Sequence, residues 1–475
     1  MTQKPYKWLG LLAIVPANAM IFLDQTALPV ALPTIQSEMQ AGELGLEWSV
    51  NSYFLFMAVF ALAAGKLSDW IGHRCAFCLG LIVFVLASLL CGMSTNIQWL
   101  IAARALQGIG SAFMLPAITA LFTALFPAAE RGKAMGINVS ASSVFLVLGP
   151  LIGGLLTQDF SWNWIFWINL PIGFISFLAA LRFLPKSKTY RVSIDFWGFA
   201  YFIVSAASLV ILCMQIRIWG VQSFETLACF LITLVSAILL FRREKTAQHP
   251  FLDLALFKKP LFTAIAINIS IAQFILMISV FRSIYFQTIL EYSPTLAGFV
   301  TFLSSSPIFF VSPIAGYLSD RLSPKLPLAI GYLLLIFSFF WLGFFSTPSL
   351  PSLLISLFAF GIGVPLLFTP SYTTAMKSVP PPKRGVAFGM IATLRTLAGT
   401  MGVALIGLFM NLVENYQQSR LFGTPDAARL SEIAGFSATH FALAFLVILT
   451  FAIAFVFHKR HSTHHLPESP AEGWD

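Results

Sequence analysis

The sequence predicts an all-α membrane protein with fourteen transmembrane helices, and three observations lead there. Of 475 residues, 58% are hydrophobic and 10% charged, against roughly 25% charged in a soluble globular chain. The mean hydropathy is +0.85. Apolar runs of about 20 residues, long enough to cross the hydrocarbon core as helices, recur along the whole length. The longest connection expected between them, before the last helix, is about 25 residues, longer than ordinary helix connections but too short for a soluble catalytic domain. The chain is therefore read as a non-enzyme. The net charge of +9 is spread over short loops with no basic domain, which argues against nucleic acid as a partner. The first apolar run is too long for a cleaved signal peptide. Cys75, Cys78, Cys91, Cys213 and Cys229 lie in or beside these runs, so no disulfide framework is expected.

Marking apolar runs between breakers places the helices near residues 8–32, 47–65, 76–94, 98–120, 134–156, 164–184 and 197–215, then 225–241, 261–288, 294–318, 326–345, 350–376, 386–412 and 439–457. An even number returns both termini to one side. With the termini assigned to the cytoplasm, the segments on that side hold 22 of the 28 Lys and Arg residues. The opposite loops hold Arg217, Arg420 and Arg429, and Arg104, Arg282 and Arg395 fall inside helices. Lysine and arginine mark the cytoplasmic side, so an inner-membrane, multi-pass protein with cytoplasmic termini is expected.

Two segments repeat. "GKLSDWIGHR" (65–74) follows helix 2 and "GYLSDRLSPK" (316–325) follows helix 10. "RGKAMG" (131–136) precedes helix 5 and "RGVAFG" (384–389) precedes helix 13. Both pairs have nearly one offset, so the chain divides into two related six-helix bundles. The expected units are 1–184, a linker of 185–260 with two inserted helices, 261–457, and a tail of 458–475. Parallel six-helix repeats with a site at their midplane interface describe a transporter that rocks one half against the other.

The motifs resemble those of the major facilitator superfamily, in its fourteen-helix drug:proton antiporter branch. Gly65-x-Leu67-Ser68-Asp69-x-x-Gly72-His73-Arg74 is similar to its loop signature, although Trp70 stands where an arginine is common. Arg104-x-x-Gln107-Gly108-x-Gly110 is similar to its helix 4 signature. Gly149-Pro150-x-x-Gly153-Gly154 looks like its helix 5 antiporter motif, with Phe145 in place of a first glycine. Leu23-Asp24-x-Thr26 with Ala31-Leu32-Pro33 resembles its helix 1 signature, with Pro29 at a usual asparagine. The resemblance implies a major facilitator fold, antiport rather than import, and no cofactor beyond the proton gradient. It implies gating roles for Gly65, Asp69, Gly72, Arg74, Arg131, Gly149, Pro150, Gly153 and Gly154, with Asp320 as the weaker twin of Asp69. For Asp69 it implies a latch, against plain capping of helix 3.

Asp24 is the one ionisable residue from Trp8 to Leu32, and a carboxylate at a helix centre costs roughly 2.5–3.5 kcal/mol to insert. Counting 1.5 Å per residue, Asp24 lies about 12 Å and Arg104 about 9 Å below the outer surface. They are candidates for proton coupling, against a structural ion pair. Gln107, one turn on from Arg104, has two readings, a contact to substrate or Asp24 and a packing amide. Arg395, about 15 Å into helix 13, is a cavity candidate. Glu47 and Arg282 are cavity candidates too, set against an interfacial position for the first and snorkelling for the second. Few membrane carboxylates beside three membrane arginines tilt the substrate toward neutral or anionic. His458, His461, His464 and His465 suggest a metal site or, instead, a basic tail beside anionic lipid. The leading function is a proton-coupled exporter of amphipathic drugs or toxic compounds. The alternatives are a dedicated exporter of one metabolite, siderophore or lipid, and a non-transporting scaffold or sensor. The expected partners are protons, a small-molecule substrate and the lipid bilayer, with a periplasmic adaptor as a further candidate.

Overall fold

The computed structural model describes residues 7–186, 189, 195–247, 254–380 and 384–461. Among them fourteen helices are long and apolar enough to cross a membrane. Spans 1–6 are Trp8–Met39, Glu43–Ile71, His73–Gly92, Ile97–Leu125, Lys133–Asp159 and Trp164–Phe183. Spans 7 and 8 are Phe196–Trp219 and Phe224–Thr246. Spans 9–14 are Pro260–Thr288, Pro294–Ser319, Lys325–Phe344, Leu350–Lys377, Val386–Arg420 and Ala427–Ile453.

Helix count and order match the apolar runs, but the helices outlast them. The long connection expected before the last helix is instead six residues, 421–426. Span 13 continues to Arg420 and span 14 begins at Ala427. Polar residues such as Asn411, Glu414 and Gln417 end an apolar run without ending a helix, because nothing there removes a backbone donor. The chain turns only where the backbone goes left-handed, at Gly423 and Asp426. Arg217, expected in a loop, sits in the last turn of span 7.

Prolines shape the interior. Span 10 is two helices, Pro294–Ser305 and Pro307–Arg321, since Pro307 has no N–H to continue the ladder. Span 9 breaks at Met277, between Pro260–Leu276 and Ile278–Thr288. Span 1 runs unbroken through Pro16, Pro29 and Pro33.

Spans 1–6 and 9–14 form two bundles, and one apolar core threads both, from Phe77 and Phe122 in the first to Tyr332 and Phe339 in the second. Span 7 packs on spans 2 and 13 through Leu55, Val59, Val210, Met214 and Ala404. Span 8 lies against span 7, with Thr233 Oγ1 2.9 Å from Ser208 Oγ. Its remaining surface is apolar and exposed, with Leu227, Leu231, Leu234 and Ile238 pointing away from the protein. Asp195 caps span 7 and meets Arg243 of span 8 at 2.9 Å. That guanidinium hydrogen bond holds the Asp195 carboxyl below the usual carboxylate range.

Alternating spans put Lys66, Arg74, Arg131, Arg243 and Lys325 at one end, here the basic end, and Arg217, Arg420 and Arg429 at the far end. The bundles meet at the far end. Gln287 Nε2 of span 9 donates to Val30 O of span 1 at 2.8 Å. Thr295 N of span 10 donates to Gln158 Oε1 at the end of span 5, at 3.1 Å. Asn411 Nδ2 of span 13 donates to Glu43 Oε2 of span 2, at 3.1 Å. At the basic end spans 5 and 10 stand free: Met135, Gly136, Ile137 and Val139 of span 5 are exposed around the helix, as are Phe310, Ile314 and Tyr317 of span 10, while spans 2 and 13 stay close, with Leu62 beside Gly389. The conformer is closed at the far end and open at the basic end.

Candidate functional site

A charged cluster lies inside the first bundle. Asp24, Arg104 and Gln107 are each at most 1% exposed. Arg104 Nη1 pairs with Asp24 Oδ2 and donates to Gln107 Oε1 at 2.6 Å. Gln107 Nε2 donates to Asp24 Oδ1 at 2.9 Å and to Ser88 Oγ at 2.9 Å. Arg104 Nε donates to Ser49 O at 3.2 Å, and the guanidinium lies over the Tyr53 ring, 4.3 Å from its centre. Asp24 on span 1 is thus joined to spans 2, 3 and 4. Gly108 permits this: a Cβ there would lie 2.3 Å from Tyr53 O, so spans 2 and 4 touch backbone to backbone. Breaking a buried pair of this kind typically costs about 3–5 kcal/mol, because the remaining charge is stranded.

A cavity of about 230 Å³ lies between the bundles. Phe22, Gln25, Thr26 and Pro29 of span 1 and Phe54 of span 2 line one side. Arg282 and Phe286 of span 9, Ser304 and Ser305 of span 10, Phe360 of span 12 and Arg395 of span 13 line the other. Of the five residues singled out as coupling or cavity candidates besides Asp24, two line this cavity, Arg282 and Arg395. Arg282 does not snorkel: on the half of span 9 that follows the break at Met277, the residue is 3% exposed and lines the cavity. Asp24, one residue along from Gln25, and its partners Arg104 and Gln107 are not on the wall but sit behind it. Gln107 therefore bonds Asp24 and does not reach the cavity.

Glu47 is neither on this cavity nor a plain interfacial residue. It is 7% exposed and pairs with Arg217 of span 7 at 3.1 Å. With Glu43, Glu414 and Glu432 it lines a separate far-end pocket of about 120 Å³. The inserted helices thus contribute a charge to the bundle interface, which nothing in the loop assignment of Arg217 foretold.

The loop after span 2 turns at Gly72, whose φ of 92° favours glycine. Gly72 is itself the N-cap of span 3, without a side-chain hydrogen bond, so Asp69 does not cap that helix. Its carboxylate is half exposed and lies 3.8 Å from His73 Nε2. Arg74 donates to the last carbonyls of span 6, at Leu181 O and Leu184 O (2.6 and 3.0 Å), and Arg131 to those of span 4, at Thr123 O and Phe126 O (both 3.0 Å). Basic groups at helix C-termini are favourable there. A Cβ at Gly65 would make an ordinary contact with Pro116 of span 4, at 3.7 Å. The side chains of Asp320, His458 and His461, and the residues His464 and His465, lie outside what the structure describes.

The glycines of span 5 serve two contacts. A Cβ on Gly149 would fall 1.9 Å from Thr26 Oγ1, and one on Gly153 would fall 2.6 Å from Ala27 O, both in span 1. A Cβ on Gly154 would fall 2.4 Å from Pro294 O in span 10, across the bundle interface, and one on Gly298 would fall 2.3 Å from Pro150 O.

Sequence reasoning missed His440, a lone histidine in the apolar run of span 14, which is fully buried and accepts from Arg282 Nε at 3.1 Å. It also missed the serine cluster Ser304–Ser305, whose run "LSSSP" was a visible polar interruption of span 10. Gln25 and Gln273 line the cavity as well.

Residues 14–403 match the family model described as Major Facilitator Superfamily. The chain is 33% identical over 391 residues to a Mycobacterium tuberculosis protein named Multidrug resistance protein Stp, covering 82% of this chain and 73% of that one. It is 31% identical to the Clostridioides difficile Riboflavin transporter RibZ, covering 87% and 90%. In architecture it is similar to a bacterial homologue of the human lysosomal transporter Spinster, with a TM-score of 0.69 at 16% identity, covering 98% of this chain and all of that one. With fourteen membrane-crossing helices in two packed bundles and a family match over most of its length, the chain belongs to the major facilitator superfamily and is a transporter of small molecules.

Proposed function

We propose that the chain is a proton-coupled antiporter that exports amphipathic small molecules, with its basic end and both termini in the cytoplasm. The observation that carries this reading is the position of span 1. Over nine residues, Phe22 to Val30, it holds the buried carboxylate of Asp24, four residues of the cavity wall, the glycine contacts to span 5, and the carbonyl that Gln287 grips at the far end. A change in the charge of Asp24 alters what binds Arg104, and span 1 transmits that to the cavity and to the closure. Intramembrane ionisable residues mark proton relays and substrate paths. The conformer open at the basic end loads substrate from the cytoplasm. Opening the far end exposes the pair to outside protons.

The test is transport in proteoliposomes with an imposed pH gradient and a panel of cationic, neutral and anionic dyes. At least one compound is expected to move against its own gradient. A panel in which none responds to the pH gradient overturns antiport. A dedicated exporter of one metabolite is the second reading; relatives named for multidrug resistance and for riboflavin lie at similar identity. One compound moved out of many would favour it.

Orientation is tested by reporter fusions. Fusions after Arg191 and after Lys459 are expected to read cytoplasmic, and one after Asp426 exterior; a cytoplasmic signal at Asp426 defeats the assignment. Asp69 is proposed as the latch of the basic end, engaging across the interface only when that end closes. Asp69→Asn is expected to leave the protein inserted and to slow exchange between the two open states, read as single-molecule distance changes between labelled bundles. Unchanged exchange kinetics would remove the latch role.

A further inference from the structure

We propose that the central cavity takes its substrate by an anionic group, a carboxylate, sulfonate or phosphate, held by Arg282 and Arg395. This names the substrate class of the site read above as the transport cavity, and it rests on that reading.

The cavity wall carries two arginines and, among the described residues, no aspartate or glutamate. Arg282 is 3% exposed, and its Nη2 is buried with no hydrogen-bond partner among the described residues. Its Nε donates to Nε2 of His440. The other ring nitrogen of His440, Nδ1, lies 2.8 Å from Phe436 O and donates there. His440 therefore gives Arg282 a lone pair and no negative charge. The rings of Phe360 and Phe339, 4.6 and 5.5 Å from the guanidinium carbon, cover it from the side. Ring faces attract a cation but leave the N–H groups unsatisfied. Arg395 has a buried Nε without a partner, and no carboxylate pairs with it among the described residues.

Arg104 sets the contrast. In the first bundle this chain surrounds a buried guanidinium with a carboxylate, an amide, a carbonyl and a ring. In the second it leaves two guanidinium groups facing a cavity with donors to spare. A buried, uncompensated charge is costly; an anion entering the cavity removes that cost at Arg282 and gives the half-buried Arg395 a counter-charge. A guanidinium offers paired parallel donors that fit a carboxylate, sulfonate or phosphate. Phe22, Phe54, Phe286 and Phe368 supply apolar wall for the rest of the molecule, and Ser304 and Ser305 supply hydroxyls. The occupant that fits is a lipophilic, preferably aromatic, organic anion.

The experiment measures equilibrium binding to the full-length protein in lipid nanodiscs, with no gradient, using three probes on one ring: naphthalene-2-sulfonate, naphthalene-2-sulfonamide and 2-naphthylmethylammonium. The sulfonate is expected to bind at least about tenfold more tightly than either of the others, the discrimination of one charge-assisted contact. Arg282→Gln should weaken the sulfonate about 10- to 100-fold and leave the sulfonamide unchanged. Arg395→Gln should act in the same direction, and Arg282→Lys should recover part of the loss. The inference is overturned if the sulfonate does not bind, if the neutral or cationic probe binds as tightly, or if Arg282→Gln leaves the affinity for the sulfonate unchanged. Should Arg282→Gln lose all three together, the fold is damaged, and the order in the wild-type protein decides alone. Preference for the sulfonate without pH-driven transport would reject antiport and keep the anion site. Transport of cations alone would do the reverse.

Discussion

Asp24→Asn is expected to abolish efflux driven by a pH gradient while the protein still reaches the membrane. Each pH unit supplies about 1.4 kcal/mol per proton, and each 100 mV about 2.3 kcal/mol per charge. That energy reaches the substrate only through a group whose protonation alters substrate binding or the closure of span 1, and Asp24 is the carboxylate placed for it. Asparagine keeps the size and can accept from Gln107, yet it leaves Arg104 without a counter-charge, a change that costs about 3–5 kcal/mol in typical buried pairs. Asp24→Asn/Arg104→Gln removes both charges and controls for that strain. Counterflow, in which labelled substrate exchanges for unlabelled with no gradient, should survive in at least the double variant. Accumulation against a gradient should fall to the level of empty vesicles in both. Wild-type pumping by Asp24→Asn would make the buried cluster structural, and the coupling carboxylate would then be sought at Glu47, which also sits in an ion pair at the bundle interface.

Gly154→Leu is expected to prevent the far end from closing. The Cβ that any side chain adds at Gly154 meets Pro294 O at 2.4 Å, and the neighbouring contact from Gly298 to Pro150 O is as tight. These are backbone atoms and cannot step aside as a flexible side chain would. Forcing extra atoms into a packed contact typically costs about 1–3 kcal/mol or more, and here separating the bundles relieves it. A shift of a few kcal/mol suffices to invert a two-state population. With the five native cysteines replaced by serine, a cysteine introduced at Ser283 should react at least tenfold faster with an impermeant maleimide applied from the far side, and turnover should stop. Unchanged labelling and transport would show that the contact does not govern closure. Gly153→Leu is the informative neighbour. Its Cβ strikes Ala27 O at 2.6 Å within the first bundle, so it should reduce the amount of folded protein instead of biasing one state.

Much of this architecture is legible in the sequence for a simple reason. A helix that crosses lipid must satisfy its own backbone, so its length and apolar content are written locally. Fourteen runs gave fourteen spans, and the two repeated loops marked the two bundles. Asp24 and Arg104 were likewise legible, because a lone charge in an apolar helix stands out and their depth follows from rise per residue. Helix ends were less so. Beyond the hydrocarbon, polar residues continue a helix as readily as apolar ones, which is why spans 13 and 14 nearly meet where a long loop was expected.

Only the tertiary structure decided which side of a helix faces which neighbour. Gln107 and Arg282 read alike in sequence, each a polar residue within a membrane helix. Packing turns the first toward Asp24 and Ser88 inside a bundle, and the second into the cavity between the bundles. The ion pair from Arg217 to Glu47 joins residues 170 apart, and no local pattern encodes such a distance. Whether a buried arginine is satisfied or left with donors to spare depends on atoms from several helices at once. That is the property that separates Arg104 from Arg282, and it exists only after the helices have packed.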